Sequence, residues 1–500
     1  MSQLFFATSE PLGRKYAAQL KKGELKRIFK GIYTDAPYDE IEKLVLNKWH
    51  EVVNYVTPTA IAAYRTAHEL TPFDDSVFVT DNVTKRRKIV VASILTIHIL
   101  PGSVDELTEP FLPHLHRSSP ARQFLENLSE SRGKLKKALG QSWVEERLCI
   151  ALRRTHGEEE INEIRDTAKT FAEKHGFDKE FNKLNNIISA LLSTHPTEGT
   201  LETDIGIASA RKEPFDSGRI TLFKELASYL NRCELPPIHY EYNKLGWNHF
   251  AFFESYFSNY IEGTEFEIDE AERIVFEGKN IKNRHQDSHD VSSVYRQVSD
   301  YQEMSIVPES ANELIEELQR RHFDMLIERP DKNPGLFKSK HNKAGNSSFV
   351  SPDDILGTLT QAFTLYQAVE KGLKSAIFMQ FVISECQPFD DGNGRLSRIM
   401  MNAELHAAEQ QKIIVPTVHR ESYINGLRQA TRKGDFRILV KVLYQLQKYS
   451  ASIDWADYGE ARDTLEEHMA HLTPDEGIAT FNRQIRKYKF TPPIQSSIKF

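Results

Sequence analysis

Gln387-Pro388-Phe389-Asp390-Asp391-Gly392-Asn393-Gly394-Arg395-Leu396-Ser397-Arg398 gathers more chemistry than any other stretch of the 500-residue chain. Two glycines flank an asparagine, acids precede them and two arginines follow. Glycine lets backbone N–H groups converge, and free N–H groups at a helix N-terminus attract phosphate. Arg395 and Arg398 can add charge-assisted bonds to phosphate oxygens. Asp391 is placed to hold a hard cation such as Mg2+, which takes one or two carboxylates plus phosphates. The stretch reads as a grip for a nucleotide polyphosphate. Its first position, where proton transfer would want a histidine, holds Gln387, whose amide has no basic lone pair near neutral pH.

The flanking residues say which elements position this loop. Leu373, Ile377 and Phe381 fall at i, i+4 and i+8 and predict a helix over 369–386, ended by Pro388. Leu396, Ile399, Met400 and Ala403 restart a helical stripe, so the glycines sit in a tight turn that opens onto a helix N-terminus. Other phosphate loops do not fit. The Walker pattern needs Gly-Lys-Ser/Thr, and the dinucleotide fingerprint needs a third glycine or alanine where Ser397 stands and a strand where a helix is expected. A helix–loop–helix corner, with its glycines there for geometry alone, is the plain alternative.

At every defined position but the first, Gln387 to Arg398 is similar to the Fic-family motif His-Pro-Phe-x-Asp/Glu-Gly-Asn-Gly-Arg-x-x-Arg. The resemblance implies an all-helical domain that transfers AMP from ATP to a Ser, Thr or Tyr hydroxyl of a protein. It makes Phe389, Gly392, Asn393, Gly394, Arg395 and Arg398 nucleotide-binding, with ATP and Mg2+ as cofactors and Asp391 as the metal ligand. Tyr423, in the helix after Pro416, resembles a position that lines the adenine pocket. Further matches extend the resemblance over about 240–450. Pro334–Lys338 and Phe349–Pro352 look like the edges of the family's flap, a hairpin docking a protein target by strand addition around 337–350. His322 falls where the family often carries a structural histidine. Ser258-Asn259-Tyr260-Ile261-Glu262-Gly263 fits the family's inhibitory pattern Ser/Thr-x-x-x-Glu-Gly/Asn. That pattern implies that Glu262, framed by Ser258 and Gly263, pairs with Arg398 and denies it to the γ-phosphate. One guanidinium cannot serve a carboxylate and a phosphate in the same place.

Gln387 occupies the position of the family's general base, and loss of a base typically costs about 10²–10⁴-fold in rate. Cys386 adjoins the motif and reads as core. His341 and His406 lie nearby in sequence, with nothing to bring either within reach. His285, Asp287, His289 and Asp290 show no fixed metal spacing.

The whole chain is that of an ordinary globular protein with a net charge of −7, which argues against general nucleic-acid affinity. Its N-terminus lacks a signal-peptide pattern, and no apolar run is long enough for a membrane span. Three scattered cysteines suit a cytoplasmic location. Residues 14–30 are locally basic, with seven Lys and Arg against Glu24. Tyr16, Ala17 and Leu20 predict a helix, Lys22-Gly23 a turn, Leu25 and Ile28 a second helix, and Gly31–Thr34 a strand. Tyr16–Leu20 with Leu25–Tyr33 resembles the winged-helix domain of AbiEi-type antitoxins and regulators over about 1–125. That resemblance implies DNA contact through residues 14–33, the second helix entering the major groove; protein contact is its alternative. Ser76–Thr80 and Ile89–Leu100 predict a strand pair joined by the charged Lys85–Lys88.

The expected fold class is mainly α: an all-helical Fic domain (236–450) with a small β-hairpin flap. A winged-helix α/β domain (1–125) and a helical connector (126–235) precede it, and a tail (451–500) follows. Two functions stay open. One is an auto-inhibited AMP transferase with impaired or altered catalysis. The other is a non-catalytic, nucleotide-responsive transcriptional regulator or antitoxin-like DNA-binding protein.

Overall fold

The computed structural model describes residues 2–69, 71–131, 134–154, 156–192, 199–344 and 347–493. The chain divides into two compact units, Met1–Lys212 and Glu213–Phe500, where the sequence suggested four segments. Among the described residues no helix is long and apolar enough to cross a membrane.

The first unit begins with a three-stranded antiparallel sheet. Ile32–Thr34 lies at its centre, between Leu4–Phe6 and Lys26–Phe29. Helix Glu10–Lys21 forms where expected, but the second helix of the anticipated helix-turn-helix does not. Residues 26–34 are a hairpin instead. Its turn is Lys30-Gly31, and Gly31 takes φ +76 while a Cβ there would collide with the Tyr55 hydroxyl. A two-residue turn ending in a left-handed glycine favours paired strands over a helix. The major-groove contact inferred for residues 14–33 therefore lacks its helix. Arg14 is also paired with Glu10, and Lys26 Nζ donates to the Ala36 carbonyl at 2.6 Å.

A six-stranded mixed sheet follows. Its spatial order is Arg87–Val91, Leu95–Pro101, Ser76–Asp81, Ile61–Ala62, Leu115–Ser118 and Thr108–Leu112. The run Ile89–Leu100 breaks at Ala92 and Ser93, both at positive φ, into two antiparallel strands. Ser76–Asp81 pairs in parallel with the second of them and not with the strand that follows Lys85–Lys88. Trp49, Val52, Val77, Val79, Ile97 and Ile99 fill the core beneath. Helices from Pro120–Leu128 to Asp204–Ala210 complete the unit, where the sequence suggested a helical connector over 126–235.

The second unit is helical apart from a short hairpin, Lys343–Ala344 paired with Ser347–Ser348, so the protein is mainly α as expected. Gly345 and Asn346, the turn of that expected hairpin, lie outside the described residues. Two helices form the centre: Leu373–Cys386 and Asn393–Ala407 are buried on nearly every face. The first is apolar on most sides, as an interior helix is, while the second carries buried Arg395, Arg398, Asn402 and Glu404. Helix Lys244–Ile261, capped by the Asn243 side chain, also runs through the interior. The expected tail carries helices Tyr458–Glu467 and Pro474–Ile485, whose Leu465 and Phe481 are fully buried.

Candidate functional site

The loop between the two central helices is built by its own side chains. Gln387 ends the first helix at φ 44, and Gly392 opens the second at φ +72. A Cβ on Gly392 would press on Met325 Cε at 2.8 Å and Leu326 Cδ1 at 3.0 Å, so the position requires glycine twice over. Asn393 Oδ1 accepts the Phe389 N–H at 3.0 Å, and its Nδ2 donates to the Phe389 carbonyl at 2.8 Å and to Gln387 Oε1 at 3.2 Å. The loop rests on His322, whose ring stacks on Phe389 with centroids 3.8 Å apart. The Gly335 N–H donates to His322 Nδ1 at 2.9 Å, which leaves Nε2 as donor to the Asp391 carbonyl at 3.1 Å. That arrangement needs a neutral ring, and burial pushes His322 down to about 4. The expected structural role of His322 is thus given a geometry.

A cleft of about 600 Å³ opens beside the loop, a size suited to a small-molecule ligand. Gln387, Asp391, Gly392, Asn393, Gly394, Arg398, Tyr423 and Glu262 all line it. Arg398 is nearly buried, and it donates to the Ser258–Glu262 segment. Nε donates to Ser258 Oγ at 3.0 Å, and Nη2 donates to the Ser258 carbonyl and to Glu262 Oε1, both at 2.8 Å. The Glu262 carboxylate lies over Gly394, where a Cβ would collide with Oε1. Gly263 follows at φ +92 and turns the chain away from the helix end. Sequence elements 136 residues apart thus meet at one guanidinium.

Gln387 is held as well. Its Nε2 donates to the Ser384 carbonyl at 3.2 Å, while Oε1 accepts from Asn393. Tyr423 is buried under the cleft, and its hydroxyl accepts from Gln380 Nε2 at 2.6 Å. Asp391 is part-exposed; Oδ1 accepts the Gly392 N–H at 2.7 Å, and Oδ2 lies 3.7 Å from Lys332 Nζ. One carboxylate is a donor set for Mg2+ only when phosphates and waters complete the shell, which is how that ion usually binds. Among the described residues no group of three His, Cys, Asp or Glu could hold a metal alone. Asp287 and Asp290 are instead ion-paired to Arg329.

Two residues expected at the nucleotide fall elsewhere. Phe389 is fully buried against His322, and Arg395 points away from the cleft, 2.9 Å from Asp290 Oδ2 and 3.3 Å from Asn259 Oδ1. Neither lines the cleft. His406 is bound by the Tyr240 hydroxyl at 2.7 Å, and burial raises the Cys386 thiol, so neither is a base at the loop. Sequence reading missed Glu385, Thr431 and Arg219, which converge from three helices. Thr431 Oγ1 donates to Glu385 Oε1 at 2.5 Å, and Arg219 Nη1 lies 2.8 Å from Oε2. Burial pushes the Glu385 carboxyl up against the pull of Arg219. Arg219 Nη2 also donates to the Ser348 carbonyl of the hairpin at 2.6 Å. Lys338, at the expected flap edge, has a contact the sequence did not show: its Nζ reaches Asn342 Oδ1 at 2.6 Å and the Cys386 carbonyl at 3.3 Å, tying the hairpin base to the loop. No short spacing signals these contacts.

Comparison with known proteins locates the resemblance. Residues 310–405 match the model of the Fic/DOC family and form a Fic/DOC domain. The chain is 35% identical over 71 residues to the protein adenylyltransferase Fic of Aedes aegypti, 14% of each chain. It is 28% identical over 180 residues to the protein of the same name from Drosophila ananassae, 34% of each. It therefore spans about a third or less of the length of these curated relatives. Among solved structures, a Fic domain containing signalling protein from Bacteroides thetaiotaomicron aligns with a TM-score of 0.39 at 20% identity, over 48% of this chain and 97% of that one. Fic-1 from C. elegans aligns at 0.35 and 17%, over 67% and 95%.

Proposed function

We propose that the Glu213–Phe500 unit is an auto-inhibited Fic-type nucleotide site, built to transfer AMP from ATP to a protein hydroxyl and weakened at the transfer step by Gln387. The observation that carries this reading is the Glu262–Arg398 ion pair at 2.8 Å over Gly394. The names of the matched relatives support adenylyl transfer as the reaction class. In this reading the N–H groups at the start of helix Asn393–Ala407 face the phosphates, and Tyr423 floors the cleft. Asp391 would hold Mg2+ together with the phosphates, and the ion would offset their charge. With Glu262 in place, Arg398 is unavailable to the outer phosphate. The hydroxyl proton has no acceptor at position 387. Positioning and charge stabilisation carry much of phosphoryl-type transfer, so the site retains a slow reaction.

A specific contact favours a second reading. The Gln387 amide is fixed at both ends, by Ser384 and Asn393, as a structural part of the loop. That suits a site that holds nucleotide without transferring it and reports occupancy through the Glu262 segment.

Equilibrium binding of labelled ATP with Mg2+ tests the shared claim. Glu262→Gly should bind more tightly than the parent protein, and adding Arg398→Ala to Glu262→Gly should weaken that binding by about tenfold, the scale of one charge-assisted contact. Absence of binding by both the parent and Glu262→Gly would defeat the nucleotide site.

A further inference from the structure

The first unit contains a cleft that this function does not use. It has a volume of about 680 Å³ and sits on one face of the six-stranded sheet, at its Arg87–Val91 edge. Phe78 and His98 are register partners on neighbouring strands and stack at 5.0 Å to form an aromatic wall. Opposite them are Ser129, Glu130, Lys134 and Lys137, with the start of helix Asp178–Leu191.

Charge makes the cleft unusual. Five cationic side chains line it, Arg86, Arg87, Lys134, Lys137 and Lys179, against the carboxylates of Glu130 and Glu180. Lys179 is paired to Glu130 at 2.6 Å. Arg86, Arg87 and Lys134 make no ion pair among the described residues. Lys137 is drawn inward, its Nζ 2.9 Å from Ser129 Oγ and 4.1 Å from the Tyr64 ring. Burial, reinforced by the charge of Arg86, pushes it down to about 8. On a chain of net charge −7, unpaired cations converging on a concave, aromatic-walled surface repel one another unless an anion joins them. Guanidinium forks match phosphate oxygens, and a ring wall offers a stacking face to a planar group.

We propose that this cleft is a second anion site, taking a nucleotide-sized ligand that carries two or more phosphates. Its dimensions favour a small ligand over a polymer: the volume is in the range of small-molecule pockets, and Lys179–Glu130 fills part of its rim. The inference is independent of the Fic-type site.

Isothermal titration of the full chain with inorganic pyrophosphate at low salt tests it, in an Arg398→Ala background that weakens phosphate binding at the Fic-type site. Saturable binding at one site is expected. Arg86→Glu with Lys134→Glu should weaken it at least about tenfold, given two charge-assisted contacts, while Arg86→Lys should change it by less than that. Both positions are exposed, and an unchanged melting temperature would separate lost binding from lost folding. Absence of binding, or binding indifferent to charge reversal, overturns the proposal. So does tighter binding of a single-stranded oligonucleotide through the same residues, which would make the cleft a nucleic-acid surface.

Discussion

Gln387 is the residue on which the chemistry of the cleft turns. Its oxygen accepts from Asn393, its nitrogen donates to Ser384, and neither atom takes up a proton near neutral pH. A histidine here could keep the αL backbone, which is strained for any side chain except glycine, and could use one ring nitrogen toward Asn393. Gln387→His combined with Glu262→Gly should therefore restore a base beside a freed Arg398. Intact mass spectrometry with ATP and Mg2+ should then show AMP self-labelling about 10²–10⁴-fold faster than in Glu262→Gly alone. A double variant that binds ATP but stays unlabelled would show that the missing base is not what limits transfer. Much of this residue chemistry was legible in the sequence, because loop glycines, Asp391 and Arg398 fall at fixed offsets. The pairing of Arg395 with the buried Asp290 was not legible, because sequence gives its distance from the glycines but not a partner 105 residues away.

Elements extend the argument to how the loop is held. His322, on helix Ala311–Leu326, joins the Gly335 N–H to the Asp391 carbonyl and works only as a neutral ring. His322, His406 and His419 are each pushed by burial to about 4, below the ordinary value of 6.5. The unfolded chain then binds more protons between those values, so the contribution is complete above about pH 6.5 and is lost as pH falls toward 4. Melting temperature should hold steady from pH 8 to 7 and drop between pH 6.5 and 4.5; a flat profile over the lower range would contradict this. Long apolar stripes, such as Leu373–Phe381, announced their helices. The segment 25–30 did not, because Leu25 and Ile28 satisfy helical spacing while the Lys30-Gly31 turn dictates a hairpin. Two apolar positions three apart are too short a pattern to outweigh a turn glycine. The Glu385–Thr431–Arg219 cluster lay beyond reach altogether, since it is assembled by packing of three helices.

At the scale of the whole molecule, the two units carry separate cores, the first around Trp49 and Ile97 and the second around the two central helices. The Ser258–Gly263 segment, the motif loop and the hairpin all belong to Glu213–Phe500. A fragment beginning at Glu213 and carrying Glu262→Gly should fold and bind labelled ATP within about threefold of the full chain, since contacts that are not shared add independently. Loss of binding in a folded fragment would mean that Met1–Lys212 contributes to the site.

Glu262 also caps the C-terminus of helix Lys244–Ile261, where aligned peptide dipoles concentrate partial negative charge. A carboxylate there is repelled by its own helix, and Arg398 offsets that repulsion at 2.8 Å. Whatever neutralises that guanidinium releases more than a side chain: it removes the attraction holding an electrostatically unfavourable helix end in place. In the proposed reading, the gate on this cleft is the last turn of a helix, which would fray when phosphate takes its counter-charge.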